Sequence, residues 1–396
     1  MNDFEWMSPT KFIFGHNAEK KVGAWAADEG YKKALVLYGK GHVVRSGLLD
    51  TVLTSLDEAG ITHVELGGVR PNPEVNLVRQ AVELARNEQV DFVLAVGGGS
   101  VIDTAKACAI TVPNDWDVWE FFSHGNPLPK VKALAVASVL TIPAAGSEAS
   151  NSCVISNDEL GLKKGINGDN IRCKAAFMNP ELTLSLPAYQ TFAGVTDMMI
   201  HIIERVFSAS GDVPVTDAIA FSLLRTIRSA ALVVLRDPNN YDARASLMWA
   251  STLAHNGLCG NGRVEDWSSH GMEHVLSAIK TEVTHGAGLA VIVPAWLRHC
   301  YQQNPARVAR LGAEVFGVAQ TGSPKTDALA AIDTLQDFFC TIGMPRYLDE
   351  FGFVPADVDQ LVEGLRTHKG DHVGSFKRMN MDDVRAIYSS AFASQN

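Results

Sequence analysis

The fold of this 396-residue chain is decided by the stretch FVLAVGGGSVIDTAK, residues 92–106. An apolar run leads into three glycines and then into apolar residues at helical spacing, which predicts a strand, a tight turn and a helix. Glycines let the backbone approach a pyrophosphate, and the helix N-terminus offers free N–H groups to bind it. A plain structural turn has the same composition, so this stretch alone leaves both interpretations open. The pattern is not G-x-G-x-x-G, and a standard Rossmann domain is therefore not indicated.

Similar strand and helix patterns surround this stretch. Short apolar runs at residues 34–38, 63–66, 92–96 and 133–142 predict strands, and residues 75–88 and 100–109 predict helices between them. Such alternation predicts βαβ units and a parallel sheet, which binds ligands at the carboxyl ends of its strands. Two further glycine-containing turns follow strands, at residues 38–42 and 141–148. Three such turns in one domain favour a nucleotide site over a structural turn.

The sequence pattern changes after residue 187. Helical spacing predominates from there on, in residues 195–208, 217–235, 243–256, 267–279, 305–316 and 325–342. The length of the chain also exceeds that of one ordinary core. We therefore predict an α/β domain over residues 1–187 and an all-helical domain over residues 188–396.

Composition and charge exclude several classes of protein. The formal net charge is −10 with scattered basic residues, which argues against a nucleic-acid-binding protein. The sequence shows no basic and then apolar leader and no run of 18 apolar residues, so neither a signal peptide nor a membrane span is expected. The six cysteines lie far apart and form no C-x-x-C pair, which favours reduced thiols in a cytoplasmic protein.

The helical part carries candidate metal ligands. Asp197 and His201 lie four residues apart, as do His270 and His274, and His285 precedes a further apolar run. Residues four apart share a helix face, although packing explains either pair alone more simply. Together they form a mixed nitrogen and oxygen donor set typical of Zn²⁺ or Fe²⁺, and the sequence does not choose between these ions. Glu273 directly precedes His274, so the motif is not H-E-x-x-H and a zincin protease is not indicated.

With these motifs together and in this order, the chain resembles the iron-containing (group III) alcohol dehydrogenases, whose fold is similar to that of dehydroquinate synthase. The resemblance covers nearly the whole chain and includes residues 8–15, 97–106, 146–148, 194–204 and 270–286. The chain looks most like the butanol dehydrogenase and broad aldehyde reductase branch at Trp267, Glu273, His274 and residues 286–289. The resemblance implies a metal-dependent homodimer that interconverts small aldehydes and primary alcohols with NADP(H) or NAD(H).

The resemblance also implies the site residues. The family's metal ligands, one Asp and three His, correspond to Asp197, His201, His270 and His285. His274 corresponds to a histidine that lies near the metal without binding it, and it is a candidate for proton relay. The resemblance also implies that Asp197 and His201 take part in catalysis together with His274. The implied cofactor contacts are Gly98, Gly99, Ser100, Asp103, Thr141, Ser147, Lys163 and Leu182. Gly39 and Gly41, in the glycine-containing turn after the first strand, are further candidates from the sequence itself.

The chain departs from the family pattern at several positions. Relatives often carry Gly-Gly-Gly-Ser after the first strand, where this chain has the turn GKGH at residues 39–42. Ala145 stands where the family has a threonine, and Asn179-Pro180 stands where the family has Asp-Pro. One additional residue separates His270 from His285. An acidic residue in the first turn binds an adenosine ribose and repels a 2′-phosphate. Because Lys40, His42 and Arg45 stand there instead, we predict NADP(H) over NAD(H).

Other functions share parts of this pattern. A lyase like dehydroquinate synthase needs basic residues around an acidic substrate, whereas Met198, Met199, Ile202 and Trp267 give the ligands an apolar setting suited to an aliphatic aldehyde. A polyol dehydrogenase on the same fold is a further alternative. A non-catalytic nucleotide-binding protein is disfavoured by the complete set of metal donors. His255, between apolar positions on a predicted helix, is interpreted as a packing residue.

Overall fold

The computed structural model describes residues 1–123 and 131–393. The chain divides into two compact units, Met7–Leu186 and Pro187–Asn396, and the second unit also includes Met1–Trp6. We call them the α/β unit and the helical unit. The first residues belong to the helical unit because Asn2 N donates to Gly262 O and Trp6 Nε1 donates to Asn256 O at 3.2 Å. The predicted boundary had assigned these residues to the α/β domain.

The α/β unit is built on parallel strands connected by helices. Its strands are β1 Lys11–Phe14, β2 Lys33–Gly39, β3 Thr62–Val69, β4 Phe92–Gly97, β5 Ala135–Leu140, β6 Ser152–Asn157, β7 Leu162–Asn167 and β8 Ala175–Met178. Its helices are α1 Val22–Asp28, α2 His42–Arg45, α3 Leu48–Glu58, α4 Val75–Asn87, α5 Gly99–Thr111 and α6 Val118–Ser123. Within the described residues, six strands form one parallel sheet in the order β1-β8-β5-β4-β2-β3. Strands β6 and β7 form a separate antiparallel hairpin.

The strand order determines where ligands can bind. Every residue of β4 is buried, as expected for a central strand of a parallel sheet covered on both faces. Trp25 of α1 packs edge-on against Phe92 and Phe177 at 6.0 and 5.9 Å between ring centroids, which fixes this helix on the sheet. Because β5, β4 and β2 are neighbours, the three glycine-containing turns predicted from sequence lie at one edge of the sheet.

The helical unit consists mainly of long helices around one apolar core. They are α7 Ala188–Val206, α8 Pro214–Arg236, α9 Tyr241–His255, α10 Ser268–Ile279, α11 His285–Cys300, α12 Pro305–Leu311, α13 Pro324–Thr341, α14 Val358–Lys369 and α15 Met381–Ser390. The unit is not wholly helical, since β9 His372–Val373 and β10 Met379–Asn380 pair as a short antiparallel ladder. The turn between them is anchored where Ser375 N and Phe376 N donate to the Asp266 carboxylate.

Helix α8 has the length and composition of a membrane-spanning helix. Over 18 residues its mean hydropathy is 1.7, and 39% of that window is buried in this unit. Phe221, Leu224 and Ile227 pack into the apolar core, and Asp217 near its start is fully buried in ion pairs. Length and composition alone are weak support for a membrane span, and this packing is that of a core helix.

Candidate functional site

Four side chains from three helices converge in the helical unit. Asp197 and His201 lie one turn apart on α7, His270 is in the first turn of α10, and His285 is the first residue of α11. Their imidazole Nε2 atoms lie 3.6, 3.8 and 3.7 Å from Asp197 Oδ1. The structure therefore brings together the four residues that the family resemblance implies as metal ligands.

A close helix contact positions His285. A side chain at Gly286 would collide with the backbone carbonyl of Ala193, so this glycine lets α11 approach α7. Helix α10 ends at Ile279, and Val283 N donates to Lys280 O at 3.0 Å in the turn that connects it to α11. This connection places His285 Nε2 at 3.7 Å from Asp197 Oδ1.

The facing atoms of this group are buried without hydrogen-bond partners. Among the described residues, Asp197 Oδ1 and His270 Nε2 have none, although the two residues are only 4% and 7% exposed. Buried polar atoms without partners are costly, and a bound cation removes that cost. Metal bonds of about 2.0–2.2 Å place the ligand atoms of a tetrahedral site roughly 3.3–3.6 Å apart. The observed separations are slightly longer, and the donor set fits a divalent transition-metal ion.

Two buried glutamates contact the outer nitrogens of this group. Glu204 Oε2 accepts from His270 Nδ1, and Glu204 Oε1 accepts from Ser269 N at 2.8 Å and Ser269 Oγ at 2.6 Å. Glu273 Oε2 accepts from His285 Nδ1. Both glutamates are fully buried. The sequence analysis assigned neither a role, although Glu204 follows Asp197 by seven residues on α7 and therefore shares its helix face.

The electrostatic environment differs between two of the imidazoles. Burial, together with the neighbouring His255 and His270, holds the pKa of His201 well below its usual value. Burial also disfavours a charged His270, but the charges of Glu204 and Asp197 and the hydrogen bond to Glu204 outweigh it and raise the pKa of His270 to about 9. A metal-ligating imidazole must give up its second proton, so cation binding releases a proton from His270.

Two further histidines line the group. The His274 ring, half-buried, lies 5.3 Å from the His285 ring and 6.3 Å from the His270 ring. His255 packs edge-on against His201 with 3.9 Å between ring centroids. Its interpretation as a packing residue is therefore incomplete, because it packs against a candidate ligand. Apolar spacing on α9 gave no signal of this contact.

An anchored aromatic ring adjoins the imidazoles. Trp267 lies 5.1 Å from the His270 ring, its indole N–H donates to Glu265 Oε2 at 2.9 Å, and the Arg205 guanidinium sits 4.6 Å over its ring. The expectation that methionines and an isoleucine on α7 add to an apolar setting needs correction. Met198, Met199 and Ile202 are fully buried in the helical core, so Trp267 is the residue of that set that remains half-buried beside the imidazoles.

The predicted cofactor residues lie in the α/β unit, mostly just beyond the carboxyl ends of its parallel strands. Gly39 ends β2 and Gly41 follows it; Gly98 caps α5, whose first turn holds Gly99 and Ser100; Thr141 follows β5 directly, and Ser147 lies in the turn beyond it. Thr141 N donates to Gly97 O at 3.1 Å, which joins two of these turns. Because β5, β4 and β2 are neighbours in a parallel sheet, these turns lie side by side, as a pyrophosphate site requires.

Asp103 organises the second part of this edge. Its carboxylate accepts from Ser147 Oγ at 2.5 Å and from Val154 N at 2.9 Å, and burial raises its pKa. Lys163 on β7 donates to Asn72 Oδ1 at 2.9 Å and lies close enough to act electrostatically on Asp103. Leu182 instead packs against the sheet core. The nearby Ser185 Oγ hydrogen-bonds His42 Nε2 at 3.1 Å, which brings this segment beside the first turn.

Comparisons with known proteins cover both units. Residues 9–180 match the model for iron-containing alcohol dehydrogenase, and residues 191–392 match that for the C-terminal part of the Fe-containing alcohol dehydrogenase family. The chain is 36% identical over 394 residues to the probable NADH-dependent butanol dehydrogenase 1 of Bacillus subtilis, covering 99% of this chain and 100% of that protein. It is 33% identical over 393 residues to the NADPH-dependent aldehyde reductase YqhD of Escherichia coli, with the same coverage. The crystal structure of NADH-dependent butanol dehydrogenase A from Thermotoga maritima superposes with a TM-score of 0.95 at 35% identity, covering 99% of each chain.

Proposed function

The chain belongs to the iron-containing alcohol dehydrogenase family, and from this premise we propose that it reduces a small aldehyde to the primary alcohol, reversibly, with a nicotinamide cofactor and one divalent metal ion. The observation that carries the metal centre is the convergence of three imidazole Nε2 atoms on one buried carboxylate oxygen, at 3.6–3.8 Å. Asp197, His201, His270 and His285 hold the ion in this proposal. Their nitrogen and oxygen donors suit Fe²⁺ and Zn²⁺ alike.

Each part of the site has a separate task. A divalent ion, when bound, supplies a Lewis acid for the carbonyl oxygen, and the nicotinamide supplies the hydride. The indole of Trp267 gives the substrate an apolar wall beside the imidazoles, and its hydrogen bond to Glu265 holds that wall in place. An N–H of the half-buried His274 ring gives a proton to the product oxygen, since its ring lies beside those of His270 and His285.

The cofactor proposed is NADP(H) in preference to NAD(H). The turn after β2 contains no carboxylate at residues 39–42, and Lys40, His42 and Arg45 are all exposed there. A side chain atom built at Gly41 would lie 3.2 Å from the Arg45 guanidinium, so this cation lies against the turn. Cations at this position favour a ribose 2′-phosphate. The named relatives include both NADH and NADPH enzymes, and the ratio of kcat/KM for the two cofactors, in the parent and in Arg45→Ala, tests the proposal.

A substrate panel tests the proposed reaction. Purified protein of measured metal content is assayed with linear aldehydes and with NADPH and NADH in parallel, after reconstitution with Fe²⁺ or with Zn²⁺. We expect turnover that scales with bound metal, together with net accumulation of oxidised cofactor. Full activity without bound metal would refute the proposed metal centre. Turnover without net oxidation of cofactor would indicate a lyase, which family membership does not favour, and a clear preference for polyols would indicate a polyol dehydrogenase.

Other features of the proposal concern the state of the protein in the cell. We propose a cytoplasmic homodimer that acts on a small molecule and binds neither nucleic acid nor membrane. The net charge of −10 supports the absence of a nucleic-acid partner. Light scattering on the purified protein tests the dimer, and the mass of a single chain in solution would exclude it.

A further inference from the structure

Two of the candidate ligands are each held by a carboxylate on the side away from Asp197. His270 donates from Nδ1 to Glu204, and His285 donates from Nδ1 to Glu273. In each imidazole the opposite nitrogen, Nε2, faces Asp197 Oδ1, at 3.8 and 3.7 Å. A proton fixed on Nδ1 leaves the Nε2 lone pair available for a metal, so both rings are in the tautomer that a ligand requires.

His201 offers an internal contrast. Its Nε2 lies 3.6 Å from the same Asp197 oxygen, but its Nδ1 is buried with no hydrogen-bond partner among the described residues. This ring is held by contacts with other rings, at 3.9 Å from His255 and 4.8 Å from His270. Of the three candidate ligand histidines, His270 and His285 therefore each have a glutamate on Nδ1, whereas Nδ1 of the buried His201 has no partner among the described residues.

We propose that Glu204 and Glu273 are positioning residues that fix the tautomer and ring orientation of His270 and His285 and raise the affinity of the site for a divalent ion. This inference rests on the proposed metal centre. Glu204 does more than Glu273, since its other oxygen accepts from Ser269 N and Oγ and thereby fixes the first turn of α10. An imidazole with an anionic acceptor on Nδ1 is also a more basic ligand at Nε2.

A second metal site is the main alternative for Glu273. Donor atoms of Glu273, His274 and His285 lie within 4.8 Å of one another, a spacing that could also hold an ion. The contact between His285 Nδ1 and the Glu273 carboxylate opposes this interpretation. If Nδ1 carries the proton shared with Glu273, His285 has a lone pair only on Nε2, and Nε2 faces Asp197. The geometry thus assigns Glu273 to hydrogen bonding and His285 to the group around Asp197.

The formal charges of the site also support a role of the two glutamates in metal binding. With neutral imidazoles, Asp197, Glu204 and Glu273 place three formal negative charges in the interior, each at most 4% exposed. The nearby Arg205 is already paired with Glu265 at 2.9 Å. Uncompensated buried charges are strongly unfavourable, and a divalent ion offsets two of the three charges. The glutamates therefore add electrostatic affinity as well as orientation.

Metal affinity of the metal-free, full-length protein tests this inference without substrate or cofactor. The dissociation constants for Zn²⁺ and Co²⁺ are measured by competition with a chromophoric chelator in the parent, Glu204→Gln and Glu273→Gln. We expect each substitution to weaken binding by about 10–100-fold. Asp383→Asn is the matched control, because Asp383 also accepts from a histidine, His299 Nε2 at 2.8 Å, but contacts none of the candidate ligands. It should leave both constants unchanged.

A spectroscopic readout separates positioning from loss of structure. In the Zn²⁺ form with ¹⁵N-labelled histidine, all three ligand imidazoles should carry the proton on Nδ1. Glu204→Gln should perturb the Nδ1–H signal of His270 and Glu273→Gln that of His285, while the signal of His201 stays unchanged. If Glu204→Gln does not fold because the Ser269 contacts are lost, Glu273→Gln decides alone. A folded glutamine variant that binds Zn²⁺ within about threefold of the parent, or an equal loss in Asp383→Asn, overturns the inference. If the parent binds no divalent ion, both this inference and the proposed function are refuted. If the affinities fall as expected but the protein reduces no aldehyde, only the proposed function is refuted.

Discussion

The helical unit contains two buried charged clusters that differ in how their atoms are satisfied. In the first, Asp217 accepts from Arg263 Nη2 at 2.7 Å and from Arg307 Nη2 at 2.7 Å, and Arg310 approaches its other oxygen at 3.4 Å. The second is the group formed by Asp197, His201, His270 and His285, in which atoms converge but do not satisfy one another. We call them the arginine cluster and the imidazole cluster.

The difference shows how a structural cluster can be distinguished from a binding site. In the arginine cluster both carboxylate oxygens of Asp217 accept from arginines, although Arg263 Nε is buried without a partner among the described residues. Asp217, Arg307 and Arg263 join α8, α12 and the segment before α10. In the imidazole cluster the outer nitrogens of His270 and His285 are hydrogen-bonded, whereas Asp197 Oδ1 and His270 Nε2 on the inner side have no partner among the described residues. A buried carboxylate lies at the centre of both clusters. The inward-facing unpartnered atoms are what indicate a ligand.

The largest effect is expected for Asp197→Asn, which removes the carboxylate at the centre of the imidazole cluster. We expect loss of bound metal together with a fall in kcat of at least about 10²–10³-fold, because the electrostatic stabilisation of the reaction is lost. The free energy of unfolding of the metal-free protein should fall by less than in Asp217→Asn, because Asp197 Oδ1 has no hydrogen-bond partner to lose among the described residues. Metal content, steady-state kinetics and urea unfolding measure the three quantities. Asp242→Asn, at an exposed helix position, is the control.

The opposite outcome is expected for Asp217→Asn in the arginine cluster. The substitution leaves Arg263 and Arg307 buried without their carboxylate, which costs about 3–5 kcal/mol in the free energy of unfolding. Protein that remains folded should keep the parent's affinity for Zn²⁺ and its kcat. Urea unfolding followed by metal titration of the folded fraction checks both. If Asp217→Asn kept the stability of the parent but lost its bound metal, the arginine cluster would not be purely structural and the distinction between the two clusters would be wrong.

Local patterns made much of the fold predictable. The strand, turn and helix around residues 92–106 were predicted because an apolar run, consecutive glycines and helical spacing follow one another within 15 residues. The α/β and largely helical architecture is confirmed by the related structures. Strands β1 and β8, of four residues each, were not predicted. The β6–β7 hairpin was missed because polar residues such as Lys163 interrupt its apolar positions.

The candidate site was predictable only in part. Asp197 and His201 were found because residues four apart share a helix face. The contact between Glu204 and His270 joins residues 66 positions apart, and no local pattern reports such a pairing. Helical spacing did contain a signal, since Asp197, His201 and Glu204 stand at positions i, i+4 and i+7 of α7. The three ligand histidines and their two glutamates become one site only when α7, α10 and α11 pack together.

The pH dependence of stability should distinguish the clusters at a smaller scale. Burial raises the pKa of Asp217, but the hydrogen bonds and charges of Arg307 and Arg263 outweigh it, so the pKa of Asp217 lies below its usual value. A lowered carboxyl pKa contributes stability that is present above the unfolded-state pKa of about 3.9 and is lost as the pH falls through the folded-state pKa. The stability difference between the parent and Asp217→Asn should therefore be constant near neutral pH and shrink below about pH 4. Urea unfolding at a series of pH values measures it, and a difference that grew on acidification would contradict this account.

The smallest effect is expected at the edge of the imidazole cluster, in Trp267→Phe. Phenylalanine keeps an aromatic ring beside His270 but removes the indole N–H that donates to Glu265. Losing one such hydrogen bond costs about 0.5–1.5 kcal/mol in the free energy of unfolding. Zn²⁺ affinity should not change, because Trp267 contacts the ligands through ring packing and contributes no charge. KM for the aldehyde should rise more than kcat falls if the ring is a substrate wall. If Trp267→Phe instead weakened metal binding as much as the glutamine variants are expected to, Trp267 would also position the ligands and would belong to the imidazole cluster.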